Sequence, residues 1–475
     1  MTTVILIGGL LMVAALAVAM IEPRWRLPAL AFGLLAIPGN IDDLLPQMVL
    51  DPHAVLDATA AVITFADLLL VWAVVLTIRE ARPLGGTIRH LIALAIALAA
   101  IATTVSIVNM AQGVDLPSVV RGIVLFARIP ALLYLAGALR SELGDGRLLA
   151  YAIVAGGIVL LGNGIYTTIS ADLGRFTAKT FGRNGFAIAL TVVTVVGSAL
   201  ACDLWSKART GRHRAAALAC GIVAAACLFG MSATGTRMAL IVSIAAAGAA
   251  LLLYPRRLDR AAFRGILITS VIAIVIVVAS IAMTAAGGRT VSFFTDPETI
   301  VGVVTNPGGV PTATEIRTRG QFWALAAQMA LARPLTGVGP FQWNVVRYKL
   351  EPNGPVVVAD SHQSYLQIAA EYGFVTLAAY LVTLGAAALA VVAGIWSRER
   401  RATLGWTGIG LVVGSAVIPL AALTNAHIIN PRNGPLEWLL IATGLSLVVA
   451  AGERLPTRAN SAMTTLAGTT PDPPG

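Results

Sequence analysis

Asp360-Ser361-His362-Gln363-Ser364-Tyr365-Leu366 runs on through Glu371-Tyr372-Gly373-Phe374 into an apolar run that ends at Trp396. That change of character within one segment decides the class of protein. From Phe374 to Trp396 no charged residue interrupts the chain, and a run near 20 residues long is enough to cross a bilayer. In lipid such a run has to be a helix, because every backbone polar group needs an internal partner. Asp360 and Ser361 are good N-cap residues, so a helix is predicted to start at His362. An imidazole in the first turn of a helix, where water meets lipid, is well placed to take a proton near neutral pH. The same position suits a capping or interfacial histidine with no chemistry.

The rest of the composition agrees with a membrane protein. Hydrophobic residues make up 57% of the 475 and charged residues 12%, with a mean hydropathy of +0.83. Soluble domains carry about 25% charged residues. The net charge of +10 does not point to nucleic acid, because most of the arginine sits in short loops between spans, where positive charge marks the cytoplasmic side. Cys202, Cys220 and Cys227 all lie in apolar runs and read as packing residues, with neither disulfide nor zinc spacing. The first run, Thr3 to Ile21, has no basic residue before it and reads as a retained span.

Taken in order, spans are expected near 58–78, 91–109, 118–138, 148–169, 185–204, 215–231, 238–254, 265–286, 374–396, 403–424 and 436–451. A weak run from Leu27 to Pro38 reads either as a re-entrant segment or as a poor span. The fold class is therefore all-α and polytopic, with about twelve transmembrane helices, thirteen if that run also crosses. The loops holding Arg79, Arg82 and Arg89, then Lys207 to Arg214, Arg256 to Arg264, and Arg398 to Arg401 fall on one side by parity, which makes that side the cytoplasm. The expected divisions are an N-terminal bundle (1–286), an extracytoplasmic loop (287–371), C-terminal transmembrane helices (372–452) and a disordered cytoplasmic tail (453–475) rich in Thr, Pro and Gly.

Two outer loops break the charge rule. One carries Arg175, Lys179 and Arg183; the other is tipped by Arg237, which opens an apolar run directly. A lone arginine there reads as snorkelling to lipid phosphates. Several on one face suit an anion site, because the guanidinium fork matches phosphate oxygens bidentately. Within the long outer segment, 287–314 reads as irregular loop. Glu315 to Ala332 reads as a helix with Arg317 and Arg319 in its first turns. Its apolar face of Phe322, Trp323, Leu325, Ala326 and Met329 would lie on the membrane or on other spans. Pro334, Gly337, Gly339 and Pro340 break it, and Tyr348 to Asp360 is a further loop.

The ordered set Arg319-Gly-Gln-Phe-Trp323, Pro334-Leu-Thr-Gly-Val-Gly339, Ser361-His362-Gln363-Ser364-Tyr365-Leu366 and Glu371-Tyr372-Gly373 resembles the signature of the O-antigen ligase and Wzy-type polymerase superfamily. Gln363 stands where that family commonly has Asn. The motif block covers about 55 residues, and the many-span layout with one large outer loop covers the rest.

The resemblance implies a GT-C-like, metal-independent glycosyltransferase with no cofactor, in the bacterial cytoplasmic membrane and with its active site on the extracytoplasmic side. It would move a glycan from a polyprenyl diphosphate carrier, typically undecaprenyl diphosphate, to a lipid acceptor (a ligase) or to another glycan (a polymerase). By motif, His362 matches the family's loop histidine and Arg319 a diphosphate-binding arginine. Arg237 matches a second such arginine by location only, and Arg183 and Arg317 are weaker candidates. Asp360 or Glu371 would orient the imidazole, with Tyr365 in support. A lipid diphosphate is a good leaving group once arginines neutralise its charge, and a general base on the acceptor hydroxyl contributes about 10²–10⁴-fold. Membrane lipids are the other expected partners, and nucleic acid is not one.

A different class of reading is a transporter or a flippase for lipid-linked oligosaccharides, in which ionisable groups sit near the bilayer midplane. Asp67, Arg121 and Arg128 are the residues that would serve it. A non-catalytic scaffold in envelope assembly is a third reading, and it would tolerate loss of His362.

Overall fold

The computed structural model describes residues 2–37, 39–42, 44–51, 58–170, 182–207, 211–234, 236–254, 275, 311–350, 360–423 and 433–455. In chain order the helices are α1 (Thr2–Ala19), α2 (Pro23–Ala36), α3 (Gly39–Asp42), α4 (Phe65–Arg79), α5 (Gly86–Ala111), α6 (Leu116–Ala138), α7 (Arg147–Ser170), α8 (Gly182–Ser206), α9 (Gly211–Ala233), α10 (Arg237–Leu253), α11 (Pro311–Ala332), α12 (Trp343–Leu350), α13 (Ser364–Trp396), α14 (Arg398–Ala421) and α15 (Asn433–Glu453). Among the described residues, eight helices are long and apolar enough to cross a membrane, so the protein is a multi-pass membrane protein. The expected span at 265–286, the basic loop from Arg256 to Arg264 and the tail from 456 on lie outside the described residues.

Among the described residues the fold is helical except for one short antiparallel ladder, β1 (Gln47–Asp51) with β2 (Ala58–Ala61), in the register Gln47 opposite Ala61. The fold class is all-α as expected, with this hairpin as a local exception, and the span read at 58–78 is corrected. The apolar stretch from 58 starts as a strand, and the helix begins only at Phe65, behind a capping box in which Thr64 and Asp67 exchange side-chain and backbone hydrogen bonds.

Polar contacts gather the loops at the two ends of the bundle. At one end Arg82 meets Glu142 at 2.8 Å, Arg140 meets Glu453 at 3.0 Å, and Asp203 takes Arg147 at 2.6 Å and Lys207 at 3.1 Å. A Cβ on Gly452 would stand 3.1 Å from the Arg400 guanidinium. The basic loops around Arg82, Lys207 and Arg400 therefore meet in space. The motif segments lie at the other end.

The weak run after Pro23 passes from one end to the other. Arg26, 1% exposed, donates to the Thr77 hydroxyl at 3.0 Å, to the Met20 carbonyl at 2.9 Å and to Glu80. At the far side Asp42 accepts the Phe65 N–H at 3.0 Å. α2 and α3 thus run antiparallel beside α4 with their polar ends matched to its ends. α2 packs closely against α7, which explains why a run too weak to face lipid can still pass through the protein. α15 is buried along nearly its whole length, with α14, α13 and α6 around it.

Candidate functional site

The site is assembled from a turn, a broken helix and a loop. α13 is interrupted at Gly373, whose backbone (φ 80°, ψ 169°) is not helical. The break frees carbonyls that would otherwise accept from the next turn. The turn after α11 takes them, Val338 N–H donating to the Ala370 carbonyl at 2.8 Å and Gly339 N–H to the Glu371 carbonyl at 3.0 Å. In return the Phe374 N–H reaches the Pro334 carbonyl at 2.8 Å. Pro334-Leu-Thr-Gly-Val-Gly339 and Glu371-Tyr372-Gly373 are therefore two halves of one backbone joint, which satisfies groups that burial would otherwise penalise.

The joint is seated on α5 and α6. Asn109 donates to the Thr336 carbonyl at 2.8 Å. A Cβ at Gly122 would stand 2.8 Å from Pro340 and 2.9 Å from the Tyr372 hydroxyl, so only glycine lets the turn lie this close. From above, Phe322, Leu325, Ala326 and Met329 of α11 pack on Trp343 and Ala370. Four of the five residues expected on the apolar face of this helix thus turn inward onto the motif segments, while Trp323 stays 36% exposed and Leu331, at the helix end, 70%. The segment read as loop from Tyr348 is still helical to Leu350.

His362 sits on a tight loop at the mouth of this joint. Its backbone is left-handed, with φ 55°, a conformation that costs a non-glycine residue on the order of 1–3 kcal/mol. Asp360 holds it there, one carboxylate oxygen accepting the His362 backbone N–H at 2.7 Å and lying 3.1 Å from the imidazole Nδ1. A carboxylate oxygen beside Nδ1 favours the tautomer that carries its proton there, with Nε2 as the nitrogen able to accept one. The ring is partly exposed and lies 5.9 Å from that of Phe322.

This corrects the expected helix start. α13 begins at Ser364 with Gln363 as its N-cap, the Gln363 side chain accepting the Leu366 N–H. Asp360 and Ser361 are engaged by the loop: Asp360 by His362, and Ser361 by Gln363, whose carbonyl takes its hydroxyl at 2.9 Å. His362 precedes the helix instead of lying in its first turn.

The other expected site residues divide. Tyr365 donates its hydroxyl to the Pro419 carbonyl at 2.9 Å and so braces the end of α14. Glu371, 1% exposed, makes no contact with the imidazole. It accepts Gln367 Nε2 at 2.8 Å and the Trp343 N–H at 3.3 Å, and Gln367 in turn accepts the Ser361 N–H at 2.7 Å. Sequence reasoning passed over Gln367, although its spacing of four from Glu371 on one helix was a legible signal. Arg183, Arg237, Arg317 and Arg319 lie on helices, and their side chains are outside what the structure describes.

Asp67, Arg121 and Arg128, the residues a transporter would use, form a buried ion cluster. Asp67 takes Arg128 through Nε and, at 2.7 Å, through Nη2, with Arg121 Nη1 at 3.4 Å. Arg121 also reaches the Val62 carbonyl beside the hairpin at 3.2 Å.

No curated protein matches the chain. Residues 222–381 match the family model described as O-Antigen ligase. That interval holds the turn, the His362 loop and the break in α13, and over it the chain is similar to the O-antigen ligases.

Proposed function

We propose that this protein transfers a glycan from a polyprenyl diphosphate carrier to a lipid or glycan acceptor, with His362 as general base. The observation that carries the reading is the Asp360–His362 pair, with 3.1 Å between Oδ1 and Nδ1, on a loop at the mouth of the family-matched segment. The acceptor hydroxyl oxygen attacks the anomeric carbon as its proton passes to Nε2. The bond from that carbon to the diphosphate oxygen breaks, and the diphosphate leaves with the electron pair. One direct displacement inverts the anomeric centre. Arg319 and Arg237 neutralise the leaving diphosphate, with Arg183 and Arg317 as further candidates, and no step needs a metal ion.

The end of the bundle that gathers Arg82, Lys207 and Arg400 is assigned to the cytoplasm by its positive charge. His362, at the opposite end, then works on the extracytoplasmic side of the cytoplasmic membrane, where a lipid-linked glycan is within reach once flipped. The chemistry is the same for ligase and polymerase, and the acceptor decides between them.

The test uses purified full-length protein, an undecaprenyl-diphosphate-linked oligosaccharide as donor and envelope lipid as acceptor, with release of undecaprenyl diphosphate as the readout. His362→Ala is expected to lose about 10²–10⁴-fold in turnover while remaining folded. Turnover near that of the unmodified protein overturns the base assignment.

A further inference from the structure

Four residues with almost no exposure connect the His362 loop to the rest of the site. Ser361 and Gln367 are 0% exposed, Glu371 and Trp343 1%. The Ser361 N–H donates to Gln367 Oε1 at 2.7 Å, Gln367 Nε2 donates to Glu371 Oε1 at 2.8 Å, and the same oxygen takes the Trp343 N–H at 3.3 Å. Burial this complete strengthens each of these bonds and makes each orphaned partner costly. Just after Ser361 comes His362 in its left-handed conformation, and two residues later the Ser364 N–H is tied to the Ala422 carbonyl at 3.1 Å. The backbone on either side of His362 is therefore clamped, which fixes the Cα–Cβ direction from which the ring is aimed.

The chemistry at position 367 is specific. The side chain has to accept from Ser361 and donate to Glu371 at once, which an amide does and a carboxylate or an alkyl chain does not. We infer that Gln367 is a positioning residue for His362, holding the Ser361 N–H so that the left-handed turn at 362 directs the imidazole at the acceptor hydroxyl. The inference rests on the general-base reading of His362. Gln367 touches no substrate in this account; it acts through the loop. A rival account is that Gln367 only steadies the first turns of α13, in which case its loss would lower stability without a selective effect on the chemical step.

The experiment measures kcat and KM of purified full-length protein with an undecaprenyl-diphosphate-linked oligosaccharide, again by release of undecaprenyl diphosphate. Gln367→Met is expected to lower kcat by about 10- to 100-fold, because small misplacement of a catalytic group is that costly, with donor KM changed by no more than about twofold. The exchange variant Gln367→Glu with Glu371→Gln rebuilds the two shorter links with the donor reversed: the carboxylate at 367 accepts from Ser361 and from the amide nitrogen at 371, and the longer 3.3 Å bond from Trp343 is given up. It is expected to recover kcat to within about threefold. In a His362→Ala background Gln367→Met is expected to have no further effect on the residual turnover.

A loss of equal size in both backgrounds, or a loss that appears only in KM, overturns the inference. So does a folded Gln367→Met variant with undiminished kcat beside an inactive His362→Ala, which leaves the base reading standing. If His362→Ala itself proves fully active, the base reading falls first and this role with it. If Gln367→Met fails to accumulate, the exchange variant decides: near-normal kcat supports the inference, and folded protein with only the turnover of His362→Ala overturns it.

Discussion

Gly373 lies against the backbone of Leu335, so near that a Cβ at 373 would stand 2.5 Å from the Leu335 carbonyl carbon and oxygen. Its φ of 80° adds a conformational demand that side chains resist. Gly373→Ala is thus predicted to break the joint between the turn and α13, at a cost of about 2–4 kcal/mol from overpacking and backbone strain together. Because Val338 and Gly339 would lose their acceptors on 370 and 371, activity is expected to fall with stability. Thermal unfolding of purified protein checks this; an unchanged melting temperature would mean the joint is looser than its geometry indicates.

This joint explains what the sequence could and could not tell. Pro334 to Gly339 and Glu371 to Gly373 are legible as an ordered set because glycine and proline announce a turn wherever they fall. Their pairing is not legible, since it depends on a helix breaking in mid-run at a residue that hydropathy counts as part of the span. The helix start was misread for a related reason. Asp360 and Ser361 have the right side chains for capping, but Asp360 is held by the His362 N–H and imidazole, and the Ser361 N–H by Gln367 six residues on. Local propensity cannot see that competition. The weak run after Pro23 left two readings open, a re-entrant segment or a poor span, because hydropathy cannot see that Arg26 and Asp42 find partners at the two ends of α4. Ala58–Ala61 looked like the head of a helix because alanine does not distinguish strand from helix, and what settles it is the pairing with Gln47–Asp51.

Asp67 is predicted to be a structural anchor. Arg121 and Arg128 are 1% and 3% exposed, and both lean on its carboxylate, which also accepts the Thr64 N–H at 2.7 Å and hydroxyl at 2.8 Å. Asp67→Asn leaves two buried guanidinium groups facing each other, and breaking a buried pair in this way costs about 3–5 kcal/mol. The expected result is a large loss of folded protein, partly recovered when Arg128→Gln is added, with a coupling on the order of 1–3 kcal/mol in a double-mutant cycle. A transporter that moved charge through this cluster would instead give a well-folded, inactive Asp67→Asn variant. Normal accumulation of that single variant would remove the anchoring role.

Acid sensitivity is predicted at the other end of the bundle. The hydrogen bond from Arg26, with Arg82 adding to it, holds the Glu80 carboxyl below its ordinary value. A carboxylate whose folded pKa is depressed contributes stability above its unfolded pKa, and the contribution is lost as pH falls through the folded value. Glu80 is partly exposed, so the effect is modest, about 1 kcal/mol or less. Glu80→Gln is expected to melt below the unmodified protein near neutrality, and the two curves are expected to converge as pH falls through the acid range. A difference that stays constant with pH would show that the ion pair with Arg26 contributes nothing through charge.

The arginines carry the last prediction. Arg319 lies one turn before Phe322, whose ring stands 5.9 Å from that of His362, and Arg237 opens α10. A diphosphate leaving group develops charge as the anomeric bond breaks, and donors that meet that charge accelerate the step selectively. Each charge-assisted hydrogen bond is worth about 1.5–3 kcal/mol, roughly 10- to 150-fold in turnover. Arg319→Ala and Arg237→Ala are each expected to lose activity in that range at unchanged protein level. Lysine keeps the charge but cannot offer two parallel N–H groups to one phosphate, so Arg319→Lys and Arg237→Lys are expected to recover only part of it. Turnover of undecaprenyl-diphosphate-linked oligosaccharide by the purified variants is the measurement. Full activity in either alanine variant would take that arginine out of the site, and full rescue by lysine would replace bidentate recognition with simple charge neutralisation.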